Sequence, residues 1–381
     1  MSLEGEIIKI RRHIHRNPEL SGNEYETAEF IESKLKKLKI PYKRIEKTGV
    51  IGTLEGAKTG KTIALRADID ALPVCENNEI KYKSKKTGVM HACGHDGHVA
   101  IMLGAANLLQ QKGSELKGNV RFIFQHSEEI SAGAKTMIKS GALENPDVDF
   151  ILGVHVNPWI KTGRIGFKFG PVMAAMDKLK IKIIGKIAHG AYPHEGKDAL
   201  VAASAFINMV QCISSRELNP MEYAVITFGK IEGGEAYNII CQNITIDGTV
   251  RSFNSEIRSF IKASILRKLK AIETAYEVKC IADYDEIGSP IINTPEITEA
   301  CVKTAQVFYG KDNVEILEKP SMGGEDFAEY LNKIPGCFIF IGTFKDKNTS
   351  YPWHHSSFNM DESALPKAAK YVAYTVEEFL K

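Results

Sequence analysis

The sequence predicts an α/β protein, with an open central sheet flanked by helices and an α+β module inserted into it. Three observations predict this. Through residues 1–176 short apolar runs alternate with amphipathic stretches, and several runs end in acidic residues or histidine, where open α/β sheets place their sites. From Asp177 the order becomes strand, helix, strand, strand, helix, strand, the split βαβ arrangement of an antiparallel module. Around Ser289-Pro-Ile-Ile-Asn-Thr-Pro295 the first pattern returns as helix, strand, helix, strand, helix. A chain of 381 residues is too long for one small core. The expected division is 1–176 with 291–381 as the main domain and 177–290 as the insert.

Taken in order, residues 5–16 form an amphipathic helix stopped before Pro18. His13 and His15 are expected on its surface or packed locally. A second helix covers 23–38, with Asn23 as its cap. Strands follow at 49–54 and 62–67, the latter running into Arg66-Ala-Asp-Ile-Asp-Ala-Leu-Pro73. Asp68 and Asp70 there are either site residues or turn formers before Pro73. A helix begins at Val99, a strand covers 119–126, and Ser127-Glu128-Glu129 follows it. A helix at 132–140 leads to the apolar strand 150–156, which holds His155. In the insert, strands are expected at 177–185, 223–232, 238–252 and 276–284, with helices at 197–213 and 255–275. The last part carries Ser321-Met-Gly-Gly-Glu-Asp-Phe327 and Tyr351-Pro-Trp-His-His-Ser-Ser-Phe358.

The densest chemistry is Met90-His-Ala-Cys-Gly-His-Asp-Gly-His98. Thiolate, imidazole and carboxylate are the side chains that bind divalent transition metals. Residues two apart diverge by about 200° on a helix and lie on opposite faces of a strand. Cys93 and His95 therefore share a metal only from a curled loop, for which Gly94 supplies a permissive backbone. Adjacent carboxylates repel unless a cation is near; beside a metal, one of Glu128 and Glu129 ligates and the other stays free as a base. His155 reads either as a satisfied core histidine or as a further donor. Side-chain chemistry alone thus offers Cys93, His95, Glu129, His155 and a C-terminal histidine around one or two metals. Two metals bridging a water activate it and polarise a carbonyl, and Glu128 is placed to move the proton.

A net charge of +2 and the lack of a basic stripe interleaved with aromatics argue against nucleic acid as a partner. No apolar run is expected to reach transmembrane length, and the N-terminus lacks a signal-peptide core, so no membrane partner is expected. Seven scattered cysteines, an odd number, do not suggest a disulfide framework, and a reduced, cytoplasmic setting is expected.

Four stretches together resemble one family: the nine residues 90–98, Arg66 to Pro73, Phe124-Gln-His-Ser-Glu-Glu129 and Gly153-Val-His-Val156. They are similar to the N-acyl-L-amino acid amidohydrolases, a branch of the aminoacylase and carboxypeptidase G metallopeptidase family that includes hippurate hydrolases, acetyldiaminopimelate deacetylases and auxin-conjugate hydrolases. The resemblance runs from about residue 5 to the C-terminus. It implies a mixed-sheet catalytic domain binding two divalent ions, with zinc, manganese, cobalt, nickel and iron all open. It makes Cys93, His95, Glu129 and His155 ligands and Glu128 the general acid/base. The C-terminal His-x-x-x-Phe pattern adds His354, with His355 as the alternative. The sequence departs at His126-Ser127, where many relatives have Pro-Ala.

In the insert, Gly185-Lys-Ile-Ala-His-Gly-Ala-Tyr-Pro-His194 is similar to a family stretch in which His189 stabilises the oxyanion, in the site of a partner subunit. Gly233-Gly-Glu-Ala-Tyr-Asn238 and Gly248-Thr-Val-Arg-Ser-Phe253 make Asn238 and Arg251 candidates for the substrate carbonyl and carboxylate. Arg251 as a plain surface-strand residue is the alternative. The resemblance implies an enzyme that cleaves small N-acyl-L-amino acids, with the insert as lid and homodimer contact. A dipeptidase or aminopeptidase on the same scaffold, and a non-catalytic metal or small-ligand binding protein, are the competing readings.

Overall fold

The computed structural model describes residues 2–381, and the chain forms two compact units. The first comprises residues up to Val172, then Ile292–Pro320 and Glu325–Lys381; the second comprises Met173–Ile291 with Ser321–Gly324.

In the first unit α1 (Leu3–Arg16) starts where the Ser2 hydroxyl accepts the Gly5 N–H, with Glu4 and Glu6 in its first turn and basic residues in its last, as the helix dipole favours. Then come α2 (Tyr25–Lys37), β1 (Tyr42–Ile45), β2 (Gly49–Glu55) and β3 (Lys58–Asp68). The expected helix at Val99 begins earlier, as α3 (His95–Gln111). β4 (Lys117–Gln125), α4 (Gly133–Lys139), β5 (Phe150–Lys161), β6 (Ile165–Phe167) and β7 (Gly170–Met173) follow, and the chain enters the second unit. That unit holds β8 (Ala175–Ile184), α5 (Ala199–Cys212), β9 (Ala224–Gly233), β10 (Asn243–Ser252), α6 (Ser255–Tyr276) and β11 (Lys279–Gly288). The chain returns through β12 (Ile291–Asn293) to α7 (Pro295–Tyr309), β13 (Val314–Ile316), α8 (Ala328–Leu331), β14 (Gly336–Phe344) and α9 (Ala364–Phe379).

The large sheet has the order β1-β2-β4-β3-β5-β14-β6-β13. β4, β3, β5 and β14 run parallel, and β1, β2 and β6 make antiparallel pairs, so the sheet is mixed. Its central strands are buried on both faces, which explains why they read as continuous apolar runs. Because β3 and β4 are parallel and in register, Asp68 lies opposite Gln125, and both strands release their acidic turns at one edge.

The second unit is a four-stranded antiparallel sheet, order β11-β8-β10-β9, with α5 and α6 over one face. Burial alternates strictly along β8, with Leu179, Ile181 and Ile183 inward. α5 continues into a π turn, and Ala199–Glu217 is long and apolar enough to span a membrane by length and composition. That corrects the expectation of no such run. One third of the segment is buried in the unit's core, where Ala202, Phe206 and Val210 pack.

Candidate metal centre

His95 is the first residue of α3, and the curl before it is made by Gly94, whose φ is 93°. A Cβ at Gly94 would sit 2.4 Å from Val156 Cγ2, so both the backbone and the close approach require glycine. The curl brings the Cys93 Sγ to 3.5 Å from His155 Nε2.

The ring nitrogens of the histidines are fixed by their other partners. His95 Nδ1 lies 2.9 Å from the Asp70 carbonyl and 3.2 Å from its Oδ1. Both partners are acceptors, so Nδ1 carries a hydrogen and Nε2 is the atom left to face a cation. His155 Nδ1 likewise donates to the Val156 carbonyl at 2.8 Å and leaves Nε2 toward Cys93. His98 is different: its Nε2 accepts the Val156 N–H at 2.9 Å and its Nδ1 donates to Asp68 at 2.6 Å. Both nitrogens of His98 are used, which removes it from the donors although it lies near Asp68 and His95. His91 is buried outside the donor groupings, and burial lowers its pKa to about 4.

Glu128 and Glu129 occupy the turn after β4. His95 Nε2 faces Asp68 Oδ2 at 3.6 Å, Glu129 Oε1 at 3.8 Å and Glu128 Oε2 at 3.9 Å. Burial opposes a charge on His95, but Asp68, Asp70 and Glu129 outweigh it and raise its pKa to about 10. Burial raises Glu129 to about 7, with Asp70 and Asp68 adding to it and His95 pulling the other way. Burial and the neighbouring Glu325 and Glu129 hold Glu128 well above the usual carboxylate range. This pocket concentrates negative charge and calls for a cation.

The donors fit divalent metal ions. His95 Nε2 and Glu129 Oε1 are among the buried side-chain atoms with no hydrogen-bond partner among the described residues. Cys93, His95 and His155 offer one donor atom each, all within 4.8 Å of one another, and so do Cys93, Glu129 and His354. Cys93 is common to both groupings, and burial with the nearby Glu129 and Glu128 raises its thiol pKa, so a bound cation would be needed to hold it as a thiolate. His354 has φ 66°, an uncommon backbone state for a side chain of its size, and its N–H donates to the Ala92 carbonyl at 2.8 Å. Its Nε2 lies 3.5 Å from Glu129 Oε2. His355 instead accepts the Ser357 N–H and stacks on Tyr351 with centroids 4.7 Å apart.

The remaining sequence candidates belong to the second unit. His189 and Asn238 are exposed and close together, since the His189 and Ile239 segments form an antiparallel bridge and Gly190 N donates to the Asn238 carbonyl. Arg251, on β10, is half-buried and donates to Thr249 Oγ1 and the Val250 carbonyl; burial lowers its pKa. Sequence reasoning assigned no task to Glu24, Glu325 or Asp326. Arg66, fully buried, donates to Asp68, Glu325 and Asp326 at 2.8, 2.8 and 2.9 Å. The one available signal was the acidic pair in Ser321 to Phe327, directly after two glycines.

Fold and donor set together define a metal-dependent hydrolase of the α/β type. The chain belongs to peptidase family M20/M25/M40, whose pattern matches residues 64–378. It is 42% identical over 381 residues to the N-acetyl-L-cysteine deacetylase of Bacillus subtilis strain 168, covering 100% of this chain and 89% of that one. Identity to the hippurate hydrolase of Campylobacter jejuni is 36%, covering 100% of this chain and 98% of the relative. Among solved structures, a Bacillus subtilis protein described as a dinuclear metal binding peptidase of the M20 family superposes with a TM-score of 0.87 at 36% identity, over 99% of this chain and 98% of the other.

Proposed function

We propose that this enzyme hydrolyses the amide bond of small N-acyl-L-amino acids, releasing a carboxylic acid and a free amino acid. The observation that carries the reading is Glu128. It is a buried carboxyl whose donor atom lies within 4.8 Å of those of His95 and Glu129, yet it belongs to neither grouping that contains Cys93. Burial and the neighbouring Glu325 and Glu129 raise its pKa, the direction that favours holding a proton. The names of the Bacillus deacetylase and the Campylobacter hydrolase, both acting on N-acylated amino acids, support the substrate class.

Cys93, His95, Glu129, His155 and His354 hold two divalent ions in this reading. When bound, such ions supply Lewis acidity toward the scissile carbonyl and the attacking water. Glu128 takes a proton from that water and gives it to the leaving amine. His189 donates a hydrogen bond to the oxyanion in the site of a partner subunit. Asn238 binds the substrate carbonyl, and the Arg251 fork its carboxylate. The first unit carries the chemistry, and the second serves as closing lid and homodimer contact. The exposed edge strand β9 and the exposed Met221, Tyr223 and Ile231 support the dimer. Seven free cysteines support a reduced, cytoplasmic setting.

The test is amine release from acetyl-, benzoyl- and indoleacetyl-amino acids and from simple dipeptides, using metal-stripped protein reconstituted with each divalent ion. Metal-restored turnover of the acylated amino acids is expected. Faster cleavage of free-amine dipeptides would replace the reading with a dipeptidase.

A further inference from the structure

The turn that carries Glu128 and Glu129 is not one that its own residues favour. Ser127 and Ser131 have φ of 54° and 53°, a region non-glycine residues rarely adopt. At Gly133 the turn is so tight that a Cβ would lie 1.6 Å from the His126 carbonyl oxygen. Inside the turn, Ser131 N–H bonds the Glu128 carbonyl, and the Ala132 and Gly133 N–H groups bond the Ser127 carbonyl. Three other N–H groups point out of the turn, and each meets a buried carboxylate from a different part of the first unit. Ser127 N donates to Glu24 Oε1 at 2.8 Å, Glu129 N to Asp70 Oδ2 at 3.0 Å and Ala134 N to Asp326 Oδ2 at 3.0 Å.

Each carboxylate is itself anchored. Glu24, fully buried just before α2, also accepts the Gly22 N–H at 2.9 Å on Oε1 and the Thr48 hydroxyl at 2.7 Å on Oε2. Asp326 accepts Arg66 at 2.9 Å and Gln125 Nε2 at 2.7 Å on its Oδ1. Gln125 is the last residue of β4 and Ala134 lies in the first turn of α4, so Asp326 ties together the two ends of the acidic turn. We propose that Glu24 and Asp326 are positioning residues that clamp this turn and so fix where Glu128 and Glu129 stand. Asp70 shares the task but also orients His95, which leaves the other two as the clean probes. The proposal rests on the roles given above to Glu128 and Glu129.

The hydrogen-bond pattern separates a clamp from a general need for charge. Glu24→Gln keeps an acceptor for Gly22 and Ser127 and turns its amide toward Thr48 Oγ1, which also accepts. Asp326→Asn has no such escape, because donors approach both oxygens. The test is backbone hydrogen exchange of the 126–134 segment in the metal-loaded protein, with metal affinity by chelator competition and kcat and KM on the best panel substrate. Glu24→Ala and Asp326→Asn are expected to speed exchange of that segment at least tenfold while β4 and α3 stay protected. Metal affinity and kcat should fall roughly 10–100-fold, the usual range for outer-shell partners, with KM within threefold. Glu24→Gln should remain within threefold of the parent in all readouts. Thr48→Val, which keeps the carboxylate but removes one anchor, should move the same readouts less far and decides the matter if Glu24→Ala does not fold.

Unchanged exchange in Glu24→Ala and Asp326→Asn overturns the proposal, as does loss of protection spreading through β4 and α3. Equal damage from Glu24→Gln and Glu24→Ala overturns the hydrogen-bond basis. A parent enzyme without turnover would sink the functional reading alone, since exchange and metal affinity still judge the clamp.

Discussion

Glu128 and Glu129 are chemically identical and adjacent, and only their surroundings separate them. Glu129 shares a donor grouping with Cys93 and His354, and Glu128 does not. Glu128→Gln should therefore lower kcat by about 10²–10⁴-fold, the usual worth of a positioned acid/base, with metal stoichiometry by atomic emission unchanged. Metal loss in that variant would move Glu128 into the ligand set. Asp70→Asn probes His95, because the carboxylate and the carbonyl of Asp70 together hold the His95 Nδ1–H. Metal affinity should fall about 10–100-fold, measured by competition with a chelating dye. Side chains whose identity announces their chemistry, such as Cys93, His95 and His155, are legible in a sequence, and the fold gathers them. Glu24 and Asp326 were not legible, because their task is to accept a backbone N–H 103 and 192 residues away. Nothing in a glutamate before a helix distinguishes that from a plain cap.

Elements were legible where burial imposes a period. β8 alternates and β5 is uniformly apolar, and both were expected close to where they lie. The strand expected from Asn238 begins instead at Asn243, although Ile239, Ile240 and Cys241 read as strand. Those residues cross between elements: Ile240 N donates to the Ala188 carbonyl, and Ala199 N to the Cys241 carbonyl. His15, expected on the surface or packed locally, is wholly buried and docks α1 on its surroundings. It bonds Asp96 Oδ2 at 2.8 Å and Glu76 Oε1 at 3.1 Å, while Arg11 Nε reaches Asp96 at 2.8 Å. Burial and Arg11 oppose a charge on His15, but Asp96 and Glu76 outweigh them and raise its pKa. Burial opposes a charge on Glu76, but its bonds to His15, Ser84 and Asn78 win and lower its pKa. A raised His15 contributes stability that is full below its unfolded pKa and is lost as pH rises through the folded value. A depressed Glu76 contributes stability that is full above its unfolded pKa and is lost as pH falls through the folded one. Their joint contribution is thus greatest between about pH 4.3 and 6.5, the two unfolded values. Glu76→Gln should lower the urea-unfolding free energy by about 1–3 kcal/mol within that window, and flatten the decline on its acid side. An unaltered acid limb would show that Glu76 carries no such linkage.

At the scale of the whole molecule, the change from sheet with flanking helices to antiparallel module was legible, because it changes the period of the apolar pattern. Strand order was not: β14, near the end of the chain, lies beside β5, a pairing no local pattern encodes. Edge strands were equally hidden, and β9 is the one with consequences. Among the described residues it pairs within its sheet with β10 alone, which leaves an open outer edge beside the exposed Val225 and Ile231. In the proposed homodimer, a second copy related by a two-fold axis would offer the same edge in return and close the assembly. Ile231 is 52% exposed, so replacing it by lysine costs the unit little and blocks edge pairing. Ile231→Lys is expected to be a monomer by light scattering, with metal content and thermal midpoint near those of the parent. If His189 serves the partner's site, that monomer should also lose at least 100-fold in kcat, as loss of an oxyanion donor does. A mixture of Glu128→Gln and His189→Ala subunits should then regain activity, because each mixed dimer contains one site with both groups intact. A fully active monomer would mean that His189 acts within its own chain, and a persistent dimer would move the interface away from β9.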